Sequence, residues 1–155
     1  MVKRLSEDAR RLVLTAAADE ARRRGDRRLG TDHLLLGILH DPASEPASAL
    51  GVDLASARAA EDALDRAALA AVGIDAGELG PIEDAAGSGR PPLTSGARAV
   101  LKRAVEQARA AKSARIETRH FLLALLACER PDPAADLLQE LGVDAAAVRA
   151  RLADE

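Results

Sequence analysis

One short pattern occurs twice in this chain, at fixed spacing and in the same company. Leu29–Leu39 reads LGTDHLLLGIL and Ile116–Leu126 reads IETRHFLLALL. Each copy sets a threonine and a histidine just ahead of a continuous apolar run. Thr31 and Thr118, His33 and His120, and Leu35 and Leu122 all lie 87 residues apart. A shared pattern at fixed spacing marks a duplicated structural unit. The echo extends upstream, where Leu5-Ser6-x-x-Ala9-Arg10 matches Leu93-Thr94-x-x-Ala97-Arg98 at an offset of 88. Asp19-Glu20-Ala21-Arg22 matches Glu106-Gln107-Ala108-Arg109 at 87, so one copy carries a single-residue slip inside its first helix. Downstream, Leu50-Gly51-Val52-Asp53 matches Leu141-Gly142-Val143-Asp144 at 91, which puts about four extra residues in the second copy's middle loop.

The 155 residues suit one compact domain or two small ones packed intimately. Phe121 is the only aromatic residue, so the core must come from Leu, Val, Ile and Ala. Alanine and arginine dominate the remainder and both favour helix, and no run alternates as a strand would. The expected class is all-α.

A net charge of −3 argues against a polyelectrolyte binder. Arg22, Arg23, Arg24, Arg27 and Arg28 crowd one helix end. A DNA-binding regulator using Arg22–Arg28 is one reading. The plainer one is a solvated face whose cations complement the helix dipole. With a single aromatic, base stacking is hardly available either. Cys128 has no partner for an internal disulfide, which suits a reducing compartment. The chain has neither an apolar stretch of about 18 residues nor a signal-peptide pattern at Met1–Arg11, so a cytoplasmic location away from membranes is expected.

Ser6-Glu7-Asp8 opens the first helix, which runs to about Arg24 and ends at Gly25. Leu12, Val13, Ala16, Ala17 and Glu20 follow at helical spacing. Thr31 is the expected N-cap of a second helix with Asp32 in its first turn, and the all-apolar Leu34–Leu39 run predicts a central, buried element. Asp41-Pro42 ends it. A short helix spans about Glu45 to Leu50. Asp53 caps a longer one to about Val72, with Leu54, Ala57, Leu64, Ala68 and Val72 facing inward. Residues 73–92 carry five glycines and three prolines and read as a linker. The order then repeats: Thr94 caps a helix to about Lys112, and Thr118 caps 119–128. Asp132 or Pro133 starts a short helix to Leu141, and Asp144 caps the last one. The expected layout is a first repeat over 1–72, a linker over 73–92 and a second repeat over 93–155, with about eight helices in all.

The tandem LSEDAR…GTDHLLLGIL…LGVD and LTSGAR…IETRHFLLALL…LGVD resembles the Clp N-terminal domain, the double four-helix repeat at the front of ClpA- and ClpC-type AAA+ unfoldases. The resemblance covers about Leu5 to Leu152. It implies two tandem four-helix repeats with pseudo-twofold symmetry, and a module that docks adaptor and substrate proteins for an ATPase ring and its protease. In ClpC-type domains it also implies phosphoarginine binding, with one site per repeat. Each site uses a hydroxyl near the start of the first helix and an acid in the G-T-E-H element. Here the resemblance pairs Ser6 with Asp32 in the first site. It pairs Thr94 with Arg119 in the second, where an arginine stands in the acid's place and repels a guanidinium. Val2, Leu5 and Leu93 occupy the region where ClpC members carry phenylalanines that meet cyclic-peptide antibiotics.

No G-x-x-x-x-G-K-[ST] motif occurs, and Gly87-Ser88-Gly89-Arg90-Pro91 lacks the Lys-Ser/Thr pair. Met1 and the departures from the ClpC pattern point to a free-standing copy without an ATPase module. The histidines have no i, i+4 ligand spacing, and a ring hydrogen-bonded near the helix start is the expected role of His33 and His120. His40 is expected to face the carbonyls that end its helix, and Cys128 to be a half-buried, inert thiol. The function expected is non-enzymatic, with no cofactor and no metal. The chain would bind adaptors, substrates or phosphoarginine-bearing proteins, and Clp unfoldase or protease subunits are further expected partners. In that role it would modulate Clp-dependent proteolysis or compete with the full-length unfoldase. Nucleic acid is not an expected partner. A small hydrolase using His33, His120 or Cys128 is the enzyme alternative.

Overall fold

The structure, a computed structural model, describes residues 4–75 and 91–153. Val2, the Gly87–Gly89 stretch and most of the expected linker lie outside the described residues. The elements run β1 Arg4–Leu5, α1 Glu7–Arg11, a π-helical segment Leu12–Ala16, α2 Ala17–Arg24, α3 Thr31–Ile38, α4 Glu45–Leu50 and α5 Leu54–Ala71. They continue with α6 Ser95–Ala110, β2 Arg115–Ile116, α7 Thr118–Leu126, α8 Pro133–Glu140 and α9 Ala145–Ala153. Among the described residues the fold is all-α apart from two strands of two residues. The first helix, the π segment and α2 form one continuous rod, because the junction residues Arg11, Leu12, Ala16 and Ala17 all keep right-handed helical dihedrals.

Local chemistry sets the helix ends. Ser6 Oγ accepts from Ala9 N–H at 3.1 Å, Ser44 Oγ from Ala47 N–H at 3.3 Å, and Thr94 Oγ1 from Ala97 N–H at 3.1 Å. Asp53, Asp132 and Asp144 do the same for α5, α8 and α9. Caps of this kind stabilise a helix by about 1 kcal/mol each. The rod ends at Gly25, whose φ of 73° lies in the left-handed region open to glycine.

Helices α3 and α7 form the centre. Leu34, Leu35, Leu36, Ile38 and Leu39 on one, and Phe121, Leu122 and Leu125 on the other, are buried within a single core drawn from both halves of the chain. The apolar runs therefore behave as predicted, since a helix without a polar face must be enclosed. Helix α5 departs from expectation at its far end. Ala57 and Glu61 are its buried residues, whereas Ala68 is exposed and Val72 is 71% exposed. It packs on α3 and α8 through its first half, and the last turns run past the edge of the core.

The single-residue slip between the copies has a structural counterpart. The first copy has one residue more between its cap and the Asp19-Glu20 pair, and that is where the π segment lies. A π turn accommodates one extra residue without ending the helix. The segment meets α3 at Gly37. A Cβ there would lie 2.7 Å from Leu12 Cδ1 and 3.0 Å from Ala17 N, closer than a methyl group can sit. The equivalent residue of the second copy, 87 positions on, is Ala124, packed against a regular α6.

A buried ion cluster fastens the rod to its neighbours. Glu20, 1% exposed, accepts from Arg58 Nη2 at 2.6 Å and pairs with His40 Nε2 at 2.8 Å. His40 thus serves a carboxylate rather than the carbonyls at its helix end. Burial alone would raise the Glu20 carboxyl, but Arg58 and His40 outweigh it and hold the group below its ordinary value.

Gly37→Ala is expected to destabilise the protein by about 1–3 kcal/mol in urea unfolding, because the π segment leaves no room for a methyl group. Arg58→Ala is expected to cost about 2 kcal/mol, the scale of a charged hydrogen bond lost to a buried carboxylate. Glu20 has a depressed folded-state pKa, so its contribution is complete above about pH 4.5 and fades as pH falls through the lower folded value. The gap between wild type and Arg58→Ala, followed by urea unfolding, should narrow in that acidic window.

Candidate functional site

The halves are joined by short extended segments that cross over. Strand β1 pairs in parallel with β2, Arg4 with Arg115 and Leu5 with Ile116, and Leu29 bridges Leu93 in the same sense. Each segment precedes a helix, and each pairs with the segment before a different helix of the opposite half. The decisive bonds match: Ser6 N–H donates to Ile116 O at 2.9 Å, and Thr94 N–H to Leu29 O at 3.0 Å. The cap of each half's first helix is therefore set beside the start of the other half's second helix.

This crossing decides which expected site residues meet. Ser6 lines a groove with Glu117, Thr118 and Arg119, and Thr94 lines another with Thr31 and Asp32. The within-repeat pairing of Ser6 with Asp32, and of Thr94 with Arg119, is not the one the fold makes. Two clefts result, in corresponding places.

The first cleft, of about 650 Å³, is lined by Ser6, Arg11, Ser44, Glu45, Glu117 and Arg119 among others. Its central cation is already engaged. Arg119 Nη2 donates to Leu152 O at 2.5 Å, and Nη1 lies 3.5 Å from Glu45 Oε1. The chain places its own guanidinium there.

The second cleft, of about 370 Å³, is lined by Arg28, Gly30, Asp32, Thr94, Gly96 and Asp132 among others. Thr31, expected to cap α3, occupies the first helical position instead; Gly30 is the cap. The Thr31 hydroxyl reaches into the other repeat, donating to Asp132 Oδ1 at 2.7 Å and accepting from Ala134 N–H at 3.1 Å. Thr118 is likewise displaced from the cap by Glu117. Gly96 stands close by, and a Cβ on it would approach Asp132 Oδ2 to 3.2 Å. Two carboxylates, Asp32 and Asp132, thus border a small cleft beside the capped start of α6. Asp32 keeps 14% side-chain exposure. Sequence reasoning placed Asp132 at a helix start without assigning it to a site. The four-residue insertion that delivers it there from the other half gave no sign of the destination.

The histidines are structural, as their position near the helix start suggested. Nδ1 of His33 accepts from Gly30 N–H at 2.8 Å, and Nδ1 of His120 from Glu117 N–H at 2.8 Å. With Nδ1 accepting, the His33 proton sits on Nε2 and is directed to Asp26 Oδ2 at 2.7 Å. Burial would raise the Asp26 carboxyl, but His33 and Arg24 together hold it below its ordinary value. Cys128 is half-buried, its thiol 3.7 Å from Ala124 O. Burial, reinforced by Asp132, pushes that thiol up to about 11, away from nucleophilic thiolate. Among the described residues, no group of three or more His, Cys, Asp or Glu is placed to hold a metal ion. None of their helices is long and apolar enough to cross a membrane.

The basic cluster is broken up. Arg24 is turned inward, 3.6 Å from Glu61 and in contact with Asp65, Asp62 and Asp26. Arg22 pairs with Asp19 at 2.8 Å. Arg23, Arg27 and Arg28 remain exposed.

Comparison with known proteins agrees with this architecture. The family profile described as Clp repeat (R) N-terminal domain matches residues 4–141 and 92–155. The chain is 30% identical over 155 residues to the ATP-dependent Clp protease ATP-binding subunit ClpA homolog of Cyanidium caldarium, covering 98% of this chain and 16% of that protein. It is also 30% identical over 156 residues to chaperone protein ClpC1, chloroplastic, of Arabidopsis thaliana, covering 98% of this chain and 15% of that one. The chain therefore spans about a sixth of the curated relatives it matches. Among solved structures, the N-terminal domain of ClpD from Arabidopsis thaliana superimposes with a TM-score of 0.69 at 23% identity, covering 99% of this chain and 97% of that one. The Hsp104 N-terminal domain from Candida albicans gives 0.62 at 18% identity, covering 96% and 89%.

Thr31→Val keeps the shape of the side chain and removes both of its cross-half hydrogen bonds. It is expected to cost about 1 kcal/mol, since Asp132 loses the Thr31 hydroxyl donor while its cap bond from the Ala134 amide is kept. Urea unfolding of the variant measures this.

Proposed function

Because the chain belongs to the Clp repeat N-terminal domain family, we propose that it is a non-enzymatic docking module of the Clp system, receiving adaptor or substrate proteins through its second cleft. The observation that supports this most is the chemistry of that cleft. Asp32 and Asp132 offer carboxylates to a guanidinium, and Thr94 offers a hydroxyl. Arg28 and the start of the sixteen-residue α6 suit an attached phosphate. The ligand class is a phosphoarginine-bearing segment. Docking it serves to modulate Clp-dependent proteolysis. On this reading the unit has two repeats, 1–72 and 93–155, joined by the 73–92 linker, and the ligand is held between repeats rather than within one.

The first cleft has the same frame and a different occupant. With Arg119 seated between Glu45 and Leu152 O, a ligand guanidinium meets a like charge there. The functional stoichiometry is then one ligand per chain. The nucleic-acid reading draws less support from Arg24, which is taken up by four carboxylates. The hydrolase reading draws less from a raised Cys128 thiol and a His33 ring committed at both nitrogens.

Isothermal titration with phosphoarginine is the direct test. One site per chain is expected, weakened at least about tenfold by Asp32→Ala, the scale of one charged hydrogen bond. Binding indifferent to Asp32→Ala, or no binding at all, would sink this assignment.

A further inference from the structure

Glycine occupies two places in the second cleft where the first cleft has acids. Gly96 is the second residue of α6, and the matching residue of the first rod, 88 positions earlier, is Asp8. Gly30 precedes α3, and its counterpart 87 positions on is Glu117. Each of the four lines its own half's cleft frame, the glycines the smaller and the acids the larger, and both acids are exposed. Backbone shape explains neither glycine. Gly30 is extended at φ −104°, close to the −99° of Glu117. Gly96 lies in a regular helix and is not among the glycines with positive φ. At such a helical position alanine is the better residue for stability.

The space beside each glycine differs. A Cβ on Gly30 would lie 2.7 Å from Asp32 Oδ1, so the bare Cα lets that carboxylate fold back over it. On Gly96 the room is open. A Cβ there would meet nothing closer than Asp132 Oδ2 at 3.2 Å, Thr31 Cγ2 at 3.5 Å and Thr94 Oγ1 at 3.9 Å. All three residues line the cleft. A methyl group would fit after a shift of a few tenths of an ångström, so the fold does not demand glycine. Asp132 is held in a way that makes this room useful. Thr31 Oγ1 and Ala134 N–H both donate to its Oδ1, at 2.7 Å and 2.9 Å. Oδ2 is the oxygen that faces Gly96, on a carboxylate already fixed through the other.

We infer that Gly96 is a specificity-determining residue of the second cleft: its missing side chain opens Asp132 Oδ2 to a flat cationic group, and a β-carbon at position 96 closes that access. The inference deepens the guanidinium reading of the cleft and rests on it. A guanidinium is planar and donates from its edge, so it can use a gap about one methyl group wide. It is then gripped by an acid from each half, Asp32 from the first and Asp132 from the second.

Two measurements on the whole chain test this. In carboxyl-carbon NMR, guanidinium ion below denaturing concentrations, against sodium at equal ionic strength, should shift both Asp32 and Asp132 in wild type. In Gly96→Ala the Asp132 response should be lost and the Asp32 response kept. In isothermal titration, phosphoarginine should bind Gly96→Ala at least about tenfold more weakly than wild type, the scale of one charged hydrogen bond. Asp132→Asn keeps the Oδ1 acceptor for Thr31 and Ala134 and replaces Oδ2 with a donor. It should weaken binding similarly, and the double variant should bind no more weakly than either single one, because both changes act on the same oxygen. Gly96→Ala should unfold in urea at a midpoint no lower than wild type. An Asp132 that ignores guanidinium in wild type, or responds equally in Gly96→Ala, overturns the gate. So does a lowered urea midpoint, which would assign the glycine to the fold, or additive losses in the double variant. Failure of phosphoarginine to bind, with guanidinium still reaching Asp132 only when position 96 is glycine, would instead count against the proposed ligand.

Discussion

Everything about the clefts depends on two backbone hydrogen bonds, Ser6 N–H to Ile116 O and Thr94 N–H to Leu29 O. They are the same bond written twice, each running from the residue that caps a first helix to the extended residue before the other half's second helix. Neither half can make it alone. Each short strand leaves unpaired donors and acceptors, and a partner strand must satisfy them or they meet water. Crossing satisfies both sets and also buries the aliphatic side chains that flank them: Leu29 is 1% exposed and Ile116 4%. The pairing, more than the helices, makes a shared core out of two four-helix units. It also makes each cleft a property of the whole chain.

Within that frame the halves have been free to differ. An extra residue in the first rod is absorbed as a π turn, and the cost is passed to α3, which must carry glycine at position 37. A glycine inside a helix is normally unfavourable by about 1 kcal/mol against alanine, so a close approach is the reason to keep it. The second half has a regular rod and an alanine at the matching place. Its insertion falls in the middle loop instead, bringing Asp132 to the mouth of the second cleft.

Much of this was legible in the sequence, because the signals were periodic or local. The all-apolar Leu34–Leu39 run had to be enclosed, Ser6, Thr94, Asp53 and Asp144 had to cap, and Gly25, Gly51 and Gly142 had to stop helices. The offsets even exposed the one-residue slip, although not the form that would absorb it. Illegible features all involved a partner distant in sequence. Thr31 looked like a cap by residue type, yet its hydroxyl is used 101 residues away. Likewise, the acid at position 20 gave no hint of Arg58, nor His40 of Glu20. The site residues were named from resemblance and their pairing was drawn within repeats. The crossed strands that re-pair them are only two residues long, too short to show as alternation.

The two clefts show how charge, laid on a symmetric frame, makes them unequal. At corresponding places the first half has Gly30 and Asp32, and the second has Glu117 and Arg119. A guanidinium at position 119 finds Glu45 and a helix-terminal carbonyl, so its two terminal nitrogens are both engaged and the groove carries its own cation. At position 32 a carboxylate stands where the other half has its arginine, and Arg24 is already divided among four acids. The first arrangement is electrostatically closed: introducing a second cation means displacing the first or tolerating repulsion. The second is bordered by the carboxylates of Asp32 and Asp132, with Arg28 also in its lining, so an arriving guanidinium meets acids there. Charge, more than shape, is what distinguishes the two clefts. Cleft volume alone would favour the larger one, where the chain's own arginine already sits.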